Sequence, residues 1–167
     1  RFAFCSSEFY GAPTSSDIAD YNTFVQNLGD ASSLNIGVAQ GVTWKAIGST
    51  PSIDARDNTS TNPNDDGTGE ATFRLDGITV IANDYADMWD NTLVNAIMND
   101  EEGVRWRGDT DWAPYGSTWT GSHNDGTGLA GYELGSGGTV EFGLAQFASI
   151  NAWIRRGATA DTVTNNL

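Results

Sequence analysis

The sequence TSSDIADYNTFVQNLG, at positions 14–29, decides the fold class of this chain. Apolar residues recur in it at the three-to-four-residue period of one helix face, at Ile18, Tyr21, Phe24, Val25 and Leu28. The run from Thr14 to Asp17 has the Ser/Thr-x-x-Asp/Glu pattern that begins helices, and glycine commonly follows a helix end. The stretch therefore predicts an amphipathic helix that ends at Gly29.

Upstream of this helix, residues 1–10 are rich in phenylalanine and compatible with a strand, and Gly-Ala-Pro at 11–13 interrupts them. We therefore expect an N-terminal strand or arm at 1–13 and one domain at 14–167. Cys5 is the only cysteine of the chain. It is either a small buried apolar side chain or one half of a disulfide to another chain.

Downstream of the helix, the pattern changes to short apolar stretches. Residues 42–47 have strand character. Asp76-Gly77 is the preferred chemistry for a tight hairpin between strands at 71–75 and 78–81. Asn83 or Asp84 can cap a short helix that runs to Trp89.

Four short stretches, of which all but 139–144 contain a tryptophan, then predict strands joined by glycine-rich turns, at 104–106, 117–120, 139–144 and 152–154. One or two short helices near the front are thus followed by several short strands and long loops. Because strands and helices do not alternate, a parallel sheet is not expected. The pattern indicates an α+β fold in which the strands are mainly antiparallel.

Composition excludes several classes of partner. The chain has 167 residues, which suits one domain, and 22 Asp and Glu against 8 Lys and Arg give a formal net charge of -14. Such a charge repels nucleic acids and anionic membrane surfaces. The sequence also has no run of ~18 apolar residues, so we expect no membrane insertion.

Several segments occur in a recognisable order, namely VTWKA at 42–46, ARD at 55–57, FRLDG at 73–77, IANDYADMWD at 81–90 and WTGSHNDGT at 119–127. From about residue 20 onward the chain resembles a bacterial exported domain. That domain is frequent in proteins with a PEP-CTERM sorting tail and distantly similar to endostatin and C-type-lectin-like folds. The resemblance implies C-type-lectin-like character, an extracellular or cell-surface location, and a binding or structural role. Family members usually have paired cysteines and a closing strand, and both are missing from this sequence.

A polar stretch contains the candidate metal ligands. Asn62, Asn64 and Asp66 stand at alternate positions before a glycine, as in the first half of a calcium loop. The glutamate that would complete an EF-hand is absent, because position 73 is phenylalanine, although Glu70 could serve in a different loop geometry. The stretch is therefore either a calcium site or a solvated turn, and calcium is the candidate cofactor.

A second candidate surface lies in the sequence DTDWAPYG at 109–116. Trp112 and Tyr115 could form an exposed aromatic platform beside Asp109 and Asp111. Aromatic faces next to acidic groups suit a protein interface or stacking against a sugar. The alternative is that Trp112 packs in the core.

These features favour a non-enzymatic structural or adhesive module over an enzyme. One histidine and one distant cysteine give no set of nucleophile and base. Without the closing strand, a sheet edge invites strand addition from another copy, and the N-terminal residues Phe2 and Phe4 are candidates for that contact. We expect self-association into filaments or matrix, or binding to extracellular polysaccharide. The alternatives are a calcium-assisted carbohydrate-binding module and a carboxylate-dependent glycoside hydrolase.

Overall fold

The computed structural model of the chain describes residues 1–8, 10–105, 117–148, 153–160 and 167. Its longest element is helix α1, Ile18–Ala31, which buries Tyr21, Val25 and Leu28 as the period predicts. The N-cap is Asp17, whose side chain accepts a hydrogen bond from the Ala19 amide at 2.9 Å. The helix thus begins at the end of the polar run, because the capping oxygen comes from its last residue.

The prediction that the helix ends at Gly29 is wrong. Helix α1 continues to Ala31, and Gly29 is buried inside it. A Cβ added at residue 29 would collide with the indole ring of Trp44, which packs directly on the helix backbone. This glycine is therefore explained by close approach of an aromatic ring rather than by a helix end.

The strand predicted at 42–47 is also absent, although this stretch lies beside α1. The Trp44 amide donates to Gln26 Oε1 at 2.8 Å, and the Ala46 amide donates to Asn22 Oδ1 at 2.8 Å. Residues 22 and 26 lie one helical turn apart on the same face. Two helix side chains thus take the place of a partner strand.

Asn58, at the end of helix α2 (Ala55–Asn58), completes this amide network. Its side-chain nitrogen donates to Asn22 Oδ1 at 2.9 Å and to the Ala46 carbonyl at 2.8 Å. In return, the Asn22 side chain donates to Asn58 Oδ1 at 2.9 Å. Since Asn58 is buried, these bonds satisfy polar groups that water cannot reach.

Two small antiparallel sheets complete the mixed α+β domain. The first pairs β1 (Thr72–Phe73) with β2 (Val80–Ala82), which confirms the hairpin with shorter strands than predicted. Helix α3 (Tyr85–Met88) follows, capped by the Asp84 side chain as the sequence suggests. None of the helices in the described ranges is long and apolar enough to cross a bilayer.

The second sheet has the order β3–β4–β5, with strands at Ser117–Trp119, Thr139–Leu144 and Gly157–Ala160. The first two lie where the sequence predicts them. The strand predicted at 152–154 is wrong at its two described residues, because Trp153 and Ile154 form a buried turn. Their main chain passes against Gly143 of β4 so closely that any Cβ there would collide with it.

Most of the buried apolar side chains form two clusters. The first cluster contains Ala3, Cys5, Ala55, Ile81, Ala82, Met88, Trp89, Leu93, Ile97, Ala145, Trp153 and Ile154. The second cluster contains Tyr21, Val25, Ala46, Trp119, Leu134 and Val140. Helix α1 therefore contributes side chains to the second cluster, and helices α2 and α3 contribute side chains to the first.

Replacing Asn22 by alanine tests the amide network. Asn22→Ala leaves the Ala46 amide and the buried Asn58 side chain each short of a partner, and we expect a loss of about 2–3 kcal/mol in the free energy of unfolding. Urea denaturation measures it. Asn27→Ala, at an exposed position of the same helix, is the control and should change stability by less than about 0.5 kcal/mol. Equal effects of the two substitutions would contradict a structural role for the network.

Candidate functional site

Residues 1–8, hereafter the N-terminal segment, lie in a groove made by parts of the chain that are distant in sequence. Four main-chain hydrogen bonds of 2.8–2.9 Å hold the segment in place. The amides of Phe73, Ala3, Cys5 and Ser6 donate to the carbonyls of Arg1, Phe73, Asn99 and Leu167, respectively. At Phe2 and Phe73 the pairing is an isolated parallel bridge rather than a strand. The groove thus holds the segment by its backbone, as a sheet edge holds an added strand.

Successive side chains of the N-terminal segment point to different parts of the interior. Ala3 and Cys5 are buried in the first cluster, as the sequence suggests for Cys5. Phe4 packs edge-on against Trp44 beside the second cluster, with ring centroids 4.7 Å apart. Phe2 stays 53% exposed. The two phenylalanines predicted as interface residues therefore differ, since Phe4 is half-buried and Phe2 faces solvent.

A cavity of about 300 Å³ lies between the N-terminal segment and the two clusters. Its walls include Phe4, Trp44, Ile97, Trp119 and Trp153. The Nε1 atoms of Trp119 and Trp153 are buried and have no hydrogen-bond partner among the described residues. By contrast, Nε1 of Trp44 donates to the Ile36 carbonyl at 2.7 Å. Residues of both clusters line the cavity.

The structure brings three of the four predicted calcium ligands into one turn. Asn62 Oδ1 accepts from the Asn64 amide at 3.0 Å, and the Asp66 carboxylate accepts from the Asn62 amide at 2.8 Å. Glu70 is exposed, and none of the contacts found among the described residues joins it to this turn.

The side chain of Asn62 is buried at the centre of this turn. Its nitrogen donates to carboxylate oxygens of Asp57 and Asp65, both at 2.7 Å. The turn is therefore closed by its own amide hydrogen bonds. Over the described ranges, no three His, Cys, Asp or Glu side chains gather in an arrangement that could hold a metal ion. Calcium binding by this loop stays a prediction.

The aromatic platform is the other predicted surface. Asp109, Asp111, Trp112 and Tyr115 lie outside the described residues. Their role in an interface or in sugar stacking therefore stays a prediction.

Sequence reasoning missed a buried carboxylate on strand β4. Glu141 is 4% exposed, and its Oε1 has no partner among the described residues. Burial raises the pKa of the Glu141 carboxyl, and the positive charge of Arg155 opposes that rise. Arg155 also approaches the ring of His123, with Nη1 and Nδ1 3.3 Å apart. In a strand with one buried face, only every second side chain is buried. The burial of Glu141 does not follow from this pattern, because its neighbour Val140 is buried as well.

No known protein-family model matches this sequence, and no curated protein matches it either.

Glu141 predicts a pH-dependent difference in stability. A carboxyl whose pKa is higher in the folded state contributes stability below its unfolded pKa and loses that contribution as pH rises through its folded pKa. We therefore expect Glu141→Gln to gain stability relative to the unsubstituted protein as pH rises from about 4 to 7. Urea denaturation across this range measures the difference. Exposed Glu70→Gln, in calcium-free buffer, should show little such trend; a flat difference for Glu141→Gln would contradict the assignment.

Proposed function

We propose that this chain is a non-enzymatic structural or adhesive module of C-type-lectin-like character that works outside the cell or at its surface. It self-associates by exchanging the N-terminal segment between copies. The observation that supports this proposal is the placement of residues 1–8 as a separate backbone-paired piece in a groove formed by Phe73, Asn99 and Leu167. The same groove in another copy offers the same partners.

Exchange requires a linker whose backbone conformation can change while the core of the domain stays packed. Gly11 and Ala12 are exposed between the segment and helix α1. A Cβ at Gly11 would meet nothing within 4 Å, so this part of the connection is not packed against the domain. Changing the backbone angles there moves the whole segment. Since all other contacts are re-formed in the partner, exchange costs little apart from the entropy of association.

The direction of exchange sets the kind of assembly. When two copies exchange segments with each other, the result is a closed dimer. When each copy passes its segment to the next, the result is an open chain, which suits a filament or matrix. Because the net charge of -14 makes copies repel one another, salt or divalent cations should favour either assembly.

A pair of engineered cysteines distinguishes exchange from other contacts. Phe2 and Phe73 are bridge partners on neighbouring backbone segments, so we expect cysteines at both positions to form a disulfide. In a Cys5→Ala background, Phe2→Cys/Phe73→Cys should give an intrachain disulfide in monomers and interchain disulfides in exchanged assemblies. We expect covalent dimers and larger species on non-reducing denaturing gels, in amounts that rise with the protein concentration before oxidation.

Single-cysteine variants at either position are the matched controls, because they can form random dimers but no ladder. Light scattering on the unsubstituted protein gives the assembly state independently. Exchange is refuted if light scattering reports oligomers while the double variant forms intrachain disulfides alone. Self-association itself is refuted if the protein remains monomeric at every concentration and salt condition.

A further inference from the structure

A hairpin at residues 99–105 contacts the end of the N-terminal segment. Asn99 and Arg105 form an isolated antiparallel bridge, which joins the two ends of the hairpin. Between them, the Asp100 side chain accepts a hydrogen bond from the Val104 amide at 2.8 Å. A side chain that bonds the backbone of its own turn fixes the conformation of that turn. The hairpin is therefore an ordered part of the groove.

Glu101 in this hairpin is a buried residue whose carboxylate is held by the N-terminal segment. It is 4% exposed. The Ser7 amide donates to Glu101 Oε2 at 2.9 Å, and the Ser7 hydroxyl donates to Oε1. Among the described residues, no other hydrogen bond or ion pair of this carboxylate is found. Since a buried carboxylate is unfavourable without donors, the hairpin depends on Ser7 to supply them.

The neighbouring glutamate makes the same kind of contact with another part of the chain. The Ser33 amide donates to Glu102 Oε1 at 3.1 Å, and the Ser33 hydroxyl donates to Oε2. Ser33 follows helix α1, so this contact joins the hairpin to the body of the domain. Two adjacent carboxylates thus bind two serines, and only the contact of Glu101 is lost when the segment leaves.

The groove also restricts the residues that precede Ser7. Ala3 is 6% exposed and Cys5 is 4% exposed, both within the first cluster. Larger side chains at these two positions would overpack the cluster. The Cys5 amide donates to the Asn99 carbonyl at 2.8 Å, which places the strand directly beside the hairpin. The groove therefore fits a strand with small side chains at positions 3 and 5 and a hydroxyl at position 7.

We propose that Glu101 selects the strand that the groove accepts, and that the strand it fits is the N-terminal segment of a second copy. This inference rests on the proposed exchange of segments. A site that binds a hydroxyl rejects an analogue without one, because its own buried group is left unpaired. An acidic residue at position 7 is excluded as well, since its charge would lie beside those of Glu101 and its neighbours Asp100 and Glu102.

A double-mutant cycle between Ser7 and Glu101 tests the proposal in the full chain. Native-state hydrogen exchange of the Ala3 and Cys5 amides gives the equilibrium constant for opening of the segment. Ser7→Ala should raise this constant about tenfold, because a hydrogen bond to a charged group is lost. In a Glu101→Ala background, the same substitution should raise it by less than about threefold.

Two further variants separate the hydroxyl from other properties of Ser7. Ser7→Thr keeps the hydroxyl and should change the opening constant by less than about threefold. Ser33→Ala breaks the matching contact with Glu102, which does not hold the segment, and should also change the constant by less than about threefold. If Glu101→Ala fails to fold, the comparison of Ser7→Ala with these two variants decides alone.

Competition between two strands measures selection during exchange. In a Cys5→Ala background, Phe2→Cys chains supply the strand and Phe73→Cys chains supply the groove. Equal amounts of Phe2→Cys chains with and without Ser7→Ala are mixed with the Phe73→Cys chains and then oxidised. Mass spectrometry should find about ten times more disulfide-linked heterodimers from the chains that keep Ser7.

Selection by Glu101 is overturned if Ser7→Ala changes the opening constant by less than about threefold, or if Ser33→Ala has an equal effect. An effect of Ser7→Ala that Glu101→Ala does not reduce overturns it too. Heterodimers in equal amounts refute selection but leave exchange standing. Conversely, a measured coupling of Ser7 with Glu101 without any heterodimers refutes exchange and supports selection of the chain's own strand.

Discussion

Residues 1–8 pass between the two clusters of buried side chains and place successive residues against different ones. Ala3 and Cys5 belong to the first cluster, and Phe4 packs against Trp44 beside the second. The backbone of the same residues pairs with Phe73. Helix α1 and the two sheets each contribute to one part of the interior, whereas this short segment has side chains against both clusters. The first five residues of the segment also form a wall of the cavity.

Helix α1 was predictable because the regular spacing of its apolar residues is visible within one short stretch of sequence. Residues 42–47 look like a strand for an equally local reason, yet their amides bond to side chains of Asn22 and Gln26. Local propensity cannot reveal which groups will accept a hydrogen bond. Gly29 shows the same limit, since its partner is the ring of Trp44. Strand β4 was predictable because strand-forming residues are grouped within one short stretch.

The candidate sites also differ in whether they are formed by residues close in sequence or by distant segments. The turn at Asn62, Asn64 and Asp66 comes from neighbouring residues, so their proximity was predictable from spacing alone. The burial of Glu141 and the unpartnered indoles of Trp119 and Trp153 arise where distant segments meet. No pattern in the sequence marks such a meeting, because it depends on how the segment at 1–8 and the turn at Trp153 pack.

The central claim is that the N-terminal segment opens as a unit while the rest of the domain stays folded. Native-state hydrogen exchange tests it most directly, since the amides of Ala3, Cys5 and Phe73 all bond along this contact. We predict that these three amides share one opening free energy, and that it is smaller than the opening free energy of the amides in β4. If the three amides exchange only with β4, through global unfolding, the segment cannot be passed between folded copies and the account is contradicted.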